Sequence, residues 1–205
     1  MTLPKPLWAV VLATLLLSLS AANWVGAQSP RQSALPPTPK TPPLDAAQAA
    51  LKASDPQRAL EIAESALKTA PRDAQLRFIR AVSLHLLGRL PEAEAAFAEM
   101  TLEFPELPEP YNNLAVVRAA QGRLDQARAA LEDAVRAVPG YAVAHENLGD
   151  IHAQLAARSY RSAQKLDPAN KNIGAKLKLV SEVTGPGSTG SNSPAPAIPS
   201  RPSRP

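Results

Sequence analysis

The chain has 205 residues, 22 basic and 18 acidic side chains, no cysteine and a formal net charge of +4 at pH 7. This length allows one modest domain plus tails. The lack of cysteine excludes disulfides, thiol catalysis, thiolate metal sites and a lipidated cysteine. Residues 41–184 hold 17 of the bases and all 18 acids, so the positive excess belongs to the flanks. No basic stripe with interleaved aromatics is present to bind nucleic acid.

Residues 1–27 have the pattern of a secretory signal peptide. Lys5 precedes an uncharged apolar run at residues 7–19, and Val25-Gly26-Ala27 follows with the small residues of a cleavage site. We predict cleavage after Ala27 and a periplasmic protein. Extending the apolar run through Ala22 gives the alternative, an uncleaved inner-membrane anchor, and only in that case is the membrane a partner.

Two segments are too rich in proline and small polar residues to form a core. Residues 28–43 contain six prolines, which favour extended polyproline II. We interpret this segment as a linker rather than as a ligand for an SH3-like domain. Residues 185–205 are predicted to be a disordered Gly/Pro/Ser tail for the same reason.

Between these flanks, small residues and prolines recur with one constant period. The three series are Ala47, Ala81, Ala115 and Gly149; Ala59, Ala93 and Ala127; and Pro71, Pro105 and Pro139. A period of about 34 residues indicates stacked repeats, in which no single unit can bury its apolar face alone. We predict units at residues 40–73, 74–107 and 108–141 and a shortened unit at 142–170, within a domain spanning 44–184.

Each full unit is predicted to be a helical hairpin. The expected helices cover about 44–53 and 56–69 in the first unit and 74–87 and 91–103 in the second, and the first helix of the third unit begins near Glu109. Gly88 and Gly122 are expected to end first helices in the left-handed conformation. The alanine and glycine of the first series are expected to let paired helices approach within about 8–10 Å.

The fourth unit breaks the period. After Pro139, the next proline of the series should stand at position 173, but Pro168 comes earlier. No Gly or Pro occurs between Asp150 and Asp167 to stop a helix. We therefore predict that the two helices of this unit fuse into one of about 24 residues. The rival prediction is a tighter hairpin with a bend near residues 156–157. A capping helix is predicted at residues 170–183.

The central unit resembles the tetratricopeptide repeat (TPR). The pattern of that family is matched by Tyr111, Leu114, Ala115, Ala127, Leu131 and Pro139. Arg118 departs from it, as does Arg80 in the preceding unit, where leucine is expected. The resemblance implies an all-α fold, a right-handed α-solenoid of about three and a half repeats plus a capping helix. Residues 109–115 and 146–150 are most similar to small exported proteobacterial TPR proteins.

The resemblance also implies a concave groove, lined by first helices, that binds a peptide or a partner helix. Asn113 and Asn147 occupy the groove asparagine position of the family, and an asparagine amide both donates to and accepts from a peptide backbone. The neighbouring residues expected to contact a partner are Asn112, Val116, Asp150, Phe78 and Val82. The alternative is that the asparagines only bridge neighbouring first helices.

The sequence offers little chemistry. His145 and His152 lie on one helical face without a third metal ligand, and Glu94 is interpreted as part of a solvated helix face rather than of an acid/base pair. We predict no enzyme activity, no cofactor and no metal. The predicted function is a protein-binding adaptor of the bacterial envelope. The alternatives are an inner-membrane-anchored assembly factor for cell wall, secretion or cytochrome maturation, and a self-associating structural protein.

Overall fold

The computed structural model describes residues 42–184, which form eight α-helices and no strand. The helices are α1 (Pro42–Lys52), α2 (Pro56–Leu67), α3 (Ala74–Leu86), α4 (Leu90–Glu103), α5 (Pro108–Ala120), α6 (Leu124–Ala137), α7 (Ala142–Leu166) and α8 (Lys171–Thr184). The all-α prediction is confirmed. The predicted signal peptide, the predicted tail and all but the last two residues of the predicted linker lie outside the described residues.

The first six helices form three stacked hairpins. Each helix contacts the next one along the chain, and the first helices α1, α3, α5 and α7 also contact one another in sequence. Asp55 and Asp73 cap the starts of α2 and α3 by accepting backbone N–H bonds, which satisfies donors that a helix start leaves unpaired. The repeating hairpins therefore produce the predicted solenoid.

Small side chains allow close contact in the three full hairpins. Ala47, Ala81 and Ala115 are at most 1% exposed, as the repeating series predicts. The same prediction is wrong for Gly149, which is exposed and would meet no atom within 4 Å if it carried a Cβ. The reason is the missing turn of the fourth unit, because no second helix folds back over this glycine.

The turns within the full hairpins share one backbone geometry. Gly88 and Gly122 have φ values of 74° and 75°, and Ser54, at the matching position of the first unit, has φ 59°. After each, the next residue donates its N–H to the carbonyl five residues earlier, as in Arg89 to Leu84 at 2.9 Å. This is the Schellman cap, which requires the left-handed conformation.

Alanine is expected to have opposite effects at two of the glycines. At Gly122 it forces a Cβ into the left-handed region and should cost about 1 kcal/mol. At Gly149, inside α7 with open space around it, it should stabilise the chain by roughly 0.5–1 kcal/mol, because glycine loses more backbone entropy than alanine in a helix. Thermal unfolding of both variants beside the wild type checks this. Shifts of the midpoint in the same direction would contradict it.

The shortened unit is one continuous helix. Helix α7 has 25 residues, and Ala157, at the position of the rival bend, lies inside it and is 1% exposed. Helix α8 packs against α7 and closes the array. The fused helix and the capping helix follow the prediction, since a segment without Gly or Pro has no signal to turn.

The core is continuous from one hairpin to the next. Its largest fully buried side chain is Phe97 on α4, which is 0% exposed and meets the Phe78 ring edge-on with centroids 5.8 Å apart. A smaller cluster at the first unit holds Leu44, Leu76 and Ile79. The first unit, the weakest match to the repeat pattern, is thus packed against the second through apolar side chains.

The departure at Arg118 is explained by an ion pair between units. Its Nε donates to Glu94 Oε1 on α4 at 3.2 Å, and Arg123 also donates to Glu94. The interpretation of Glu94 as a solvated residue is wrong, because it is half-buried between these two arginines. Burial by itself raises the pKa of Glu94, but the two arginine hydrogen bonds outweigh it, so the pKa lies below its usual value.

Candidate functional site on α5 and α7

The predicted partner-binding residues share three register positions on the first helices. Each position recurs once per repeat along α3, α5 and α7. The three rows are Phe78, Asn112 and Glu146; Ile79, Asn113 and Asn147; and Val82, Val116 and Asp150. The site is apolar on α3, carries two asparagines on α5 and becomes polar in all three rows on α7.

The asparagines are buried and hydrogen-bonded. Asn112, Asn113 and Asn147 are 0%, 1% and 5% exposed. Asn147 Nδ2 donates to Asn112 Oδ1 at 2.7 Å, which ties α7 to α5. Asn113 Nδ2 donates to the Glu109 carbonyl oxygen at 2.8 Å within α5. A bridge between first helices, the alternative role considered from the sequence, therefore exists for the pair Asn112 and Asn147.

Asn112 and Asn113 each use only one of the two polar atoms of the side-chain amide in these hydrogen bonds. Asn112 Nδ2 and Asn113 Oδ1 are buried and have no hydrogen-bond partner among the described residues, and the same holds for Asp150 Oδ2. A buried polar atom without a partner costs roughly 1–3 kcal/mol, so native proteins seldom keep several together without use. Asn112 Nδ2 is therefore an unused donor and Asn113 Oδ1 an unused acceptor, and together they complement the carbonyl oxygen and the N–H of a peptide group.

A carboxylate that sequence reasoning missed lies on the same helix. Glu109, at the start of α5, is 8% exposed, and its Oε2 has no partner in the described part of the chain. Burial raises the pKa of Glu109 to about 7, against the opposite effect of a backbone hydrogen bond. Burial, with the nearby charge of Glu109, also raises the pKa of Tyr141. The available signal was a glutamate between Pro108 and Pro110, both of which are buried.

The acid on α7 is less enclosed. Asp150 is half-buried, and burial together with the charge of Glu146 raises its pKa. Glu146 itself is exposed, although its register partner Asn112 is buried and bonded to α7. Helix α7 therefore presents the most accessible part of the site.

The predicted apolar contacts are packed into the protein. Phe78, Val116 and Val82 are 4%, 6% and 7% exposed, and Phe78 and Val82 belong to the main core cluster. They occupy the same register rows as the polar residues, but little of their side-chain surface is accessible to a partner. Their role toward a partner stays a prediction.

Comparison with known proteins identifies the architecture. The sequence model of the family described as Tetratricopeptide repeat matches residues 44–108 and 112–171, which is more than half of the chain. The chain belongs to the tetratricopeptide repeat family. It is similar in fold to the crystal structure of a thermophilic TPR protein of Thermus thermophilus, with a TM-score of 0.53 and 24% identity over 70% of this chain and 81% of that chain. No curated protein matches the sequence.

TPR arrays are generally non-catalytic scaffolds that bind other proteins on an extended concave surface. In residues 42–184, no group of three or more His, Cys, Asp or Glu residues is placed to hold a metal ion. His145 Nε2 lies 2.9 Å from the Pro139 carbonyl oxygen, and His152 is exposed. No helix among the described TPR residues is both long and apolar enough to cross a membrane.

Proposed function

We propose that this TPR chain is a non-catalytic adaptor of the bacterial cell envelope that binds a peptide or a partner helix of another envelope protein along α5 and α7. The observation that carries the proposal is the pair of buried amide atoms, Asn112 Nδ2 and Asn113 Oδ1, which have no partner among the described residues. A ligand backbone that accepts from the first and donates to the second satisfies both at once.

Binding to this pair requires a rearrangement at α7, because both atoms are buried. We propose that the Asn147 side chain, which holds Asn112 by a hydrogen bond of 2.7 Å, rotates as the ligand binds and opens the row from the side of Glu146 and Asp150. A ligand N–H or cationic side chain then meets the free Oδ2 of Asp150. Phe78, Val82 and Val116 supply a fixed apolar base, and their contribution is shape rather than contact area.

The envelope assignment rests on the sequence of residues 1–27, which has the charge, apolar run and small residues of a secretory signal. A mature protein whose N-terminus is Gln28 is expected. Recovery of the uncleaved chain in the inner membrane would instead favour the anchored assembly factor.

End-to-end self-association has no comparable support. The large apolar side chains that are exposed in the described residues are Leu86, Leu102, Leu166, Leu179 and Val183. Leu166, Leu179 and Val183 lie on α7 and α8, at one end of the array, but none of the five lies in α1 or α2, the helices that would have to meet them in an end-to-end contact.

The test is crosslinking and pull-down from periplasmic extract with the native protein and with Asn113→Ala plus Asn147→Ala. The double variant is expected to recover its partner at least about tenfold less well, because central polar contacts carry much of a binding energy. Gln164→Ala plus Asn172→Ala, two exposed amides near the end of α7 and the start of α8, is the matched control.

Because Asn147 donates a hydrogen bond to Asn112, the folding of the double variant is also checked by its helical circular dichroism signal and its unfolding midpoint. Asp150→Ala leaves that hydrogen bond in place and serves as the test if the double variant unfolds. A folded variant that recovers the same partners as the control would show that this groove is not the binding site.

A further inference from the structure

A second surface of the array carries an unusual set of charges. An open cleft of about 800 Å³ lies where the C-terminal ends of α2 and α4 flank α3. The charged residues that line it are Glu64, Lys68, Arg72, Arg77, Arg80 and Glu103. These are four cations and two carboxylates, and with Glu99, which also pairs with Arg77, the cleft keeps a surplus of one positive charge. It is separate from the asparagine rows of α5 and α7.

At the first junction between units, charged residues stand at five positions that are uncharged one repeat later, and Arg72 stands where the next repeat has a glutamate. Moving one repeat along the chain gives the same positions at the second junction. The counterparts, in the same order, are Ala98, Leu102, Glu106, Tyr111, Leu114 and Ala137. Leu114, which corresponds to Arg80, is 5% exposed in the main core. At this position an apolar side chain is packed into the second junction, whereas Arg80 keeps the first junction polar.

The ion pairs inside the cleft leave cationic groups available. Arg77 is held by Glu103 and by Glu99, the latter at 3.3 Å, and its side chain is only 16% exposed. Arg80 Nε lies 3.5 Å from Glu64 Oε1, which engages one of the five N–H donors of its guanidinium.

The cations at the rim of the cleft are less engaged in ion pairs. Lys68 and Arg72 are exposed and form no ion pair within residues 42–184. The unpaired cations of the cleft are therefore Lys68 and Arg72, and Arg80 lies beside them with N–H donors that its pair with Glu64 does not use.

We propose that this cleft is a second docking surface, which binds an acidic segment of a partner polypeptide. Carboxylates of the segment pair with Arg72, Lys68 and the outer nitrogens of Arg80, and its apolar side chains lie on Leu67 and Phe104, which are half-buried in the cleft wall. Arginine suits this role because its planar fork matches a carboxylate bidentately.

Two other occupants fit less well. Residues 1–40 and 185–205 contain five basic residues and no acidic one, so the chain's own flanks are repelled by the positive surplus. A nucleic acid needs a basic track along its backbone, but residues 41–184 carry 18 acids against 17 bases. The cleft is short, and residues 41–184 as a whole carry no positive excess, which favours a short acidic peptide over a nucleic acid.

The probe is a fluorescein-labelled synthetic peptide of alternating glutamate and leucine, and its binding to the purified protein is followed by fluorescence anisotropy at low ionic strength. Lys68→Glu plus Arg72→Glu is expected to weaken binding at least about tenfold, because charges at a binding rim set the electrostatic complementarity. The matched control is Lys171→Glu plus Lys178→Glu, two exposed lysines of α8 with the same change in net charge. It should change the affinity less than about threefold.

A second variant tests the cleft without reversing any charge. Arg80→Leu places the side chain found at Leu114 into the first junction, and it should fill the cleft and reduce peptide affinity while the protein stays folded. Equal losses in the rim variant and the α8 control, undiminished binding by the rim variant, or no binding of the peptide would overturn the proposal. So would a single-stranded oligonucleotide of equal charge that binds more tightly than the peptide.

Discussion

Replacing Phe97 with alanine is expected to lower the free energy of unfolding by about 3–5 kcal/mol, the usual range for deleting a buried aromatic side chain. Phe97 is 0% exposed and meets Phe78 edge-on at the contact between α3 and α4. The substitution removes its apolar burial and the ring contact, and stacked helices cannot close the cavity completely. Urea unfolding followed by far-ultraviolet circular dichroism measures the change.

Leu102→Ala is the control on the same helix. Leu102 is 83% exposed, so its truncation should change the free energy of unfolding by no more than about 0.5 kcal/mol. If Phe97→Ala lowered the free energy of unfolding no more than this control, Phe97 would not be buried in a closely packed core of the second hairpin.

The second large effect is a loss of stability as the pH rises. The pKa of Glu109 is about 7 in the folded protein against an ordinary 4.5. Between these pH values the folded state keeps a proton that the unfolded state has released, so the free energy of unfolding falls as pH increases. The contribution of Glu109 is fully present below about pH 4.5 and is lost above about pH 7, a difference of about 3 kcal/mol.

Glu109→Gln isolates that contribution. Glutamine keeps the shape without the ionisation, so the variant should approach or exceed wild-type stability at pH 8 and lose its share of the pH dependence. Glu106→Gln, an exposed position three residues earlier, should leave the dependence unchanged. Urea unfolding at pH 5 and pH 8 compares each of the two variants with the wild type. If the free energy of unfolding changed equally with pH in the wild type and in Glu109→Gln, Glu109 would not be buried as a neutral acid.

The architecture was predictable because its signals are local features of the sequence. A constant repeat period fixes where helices meet, glycines at Gly88 and Gly122 mark the turns, and the shortened fourth unit, without Gly or Pro in its second half, leaves α7 unbroken. The turn signals act within one unit, and the period only requires that the same local pattern recur, so neither depends on contacts between particular side chains of different units.

The features that the sequence did not predict depend on how helices of different units cover one another. Gly149 keeps the register of Ala115 but loses the helix that would cover it, and Glu94 is enclosed by arginines that stand 24 and 29 residues away. The burial of Asn112 beside α7 and the opening of the first junction at Arg80 are likewise long-range outcomes. A repeat pattern gives the average environment of a position, and these positions differ from that average.

Photo-crosslinking in the native cells shows whether a partner binds along the first helices. A benzoylphenylalanine at Glu146, the exposed register partner of Asn112 on α7, is compared with one at Glu132, exposed on the second helix α6. A crosslinked partner protein is expected from position 146 and none from position 132. A partner captured from position 132 alone, or equally from both, would contradict it.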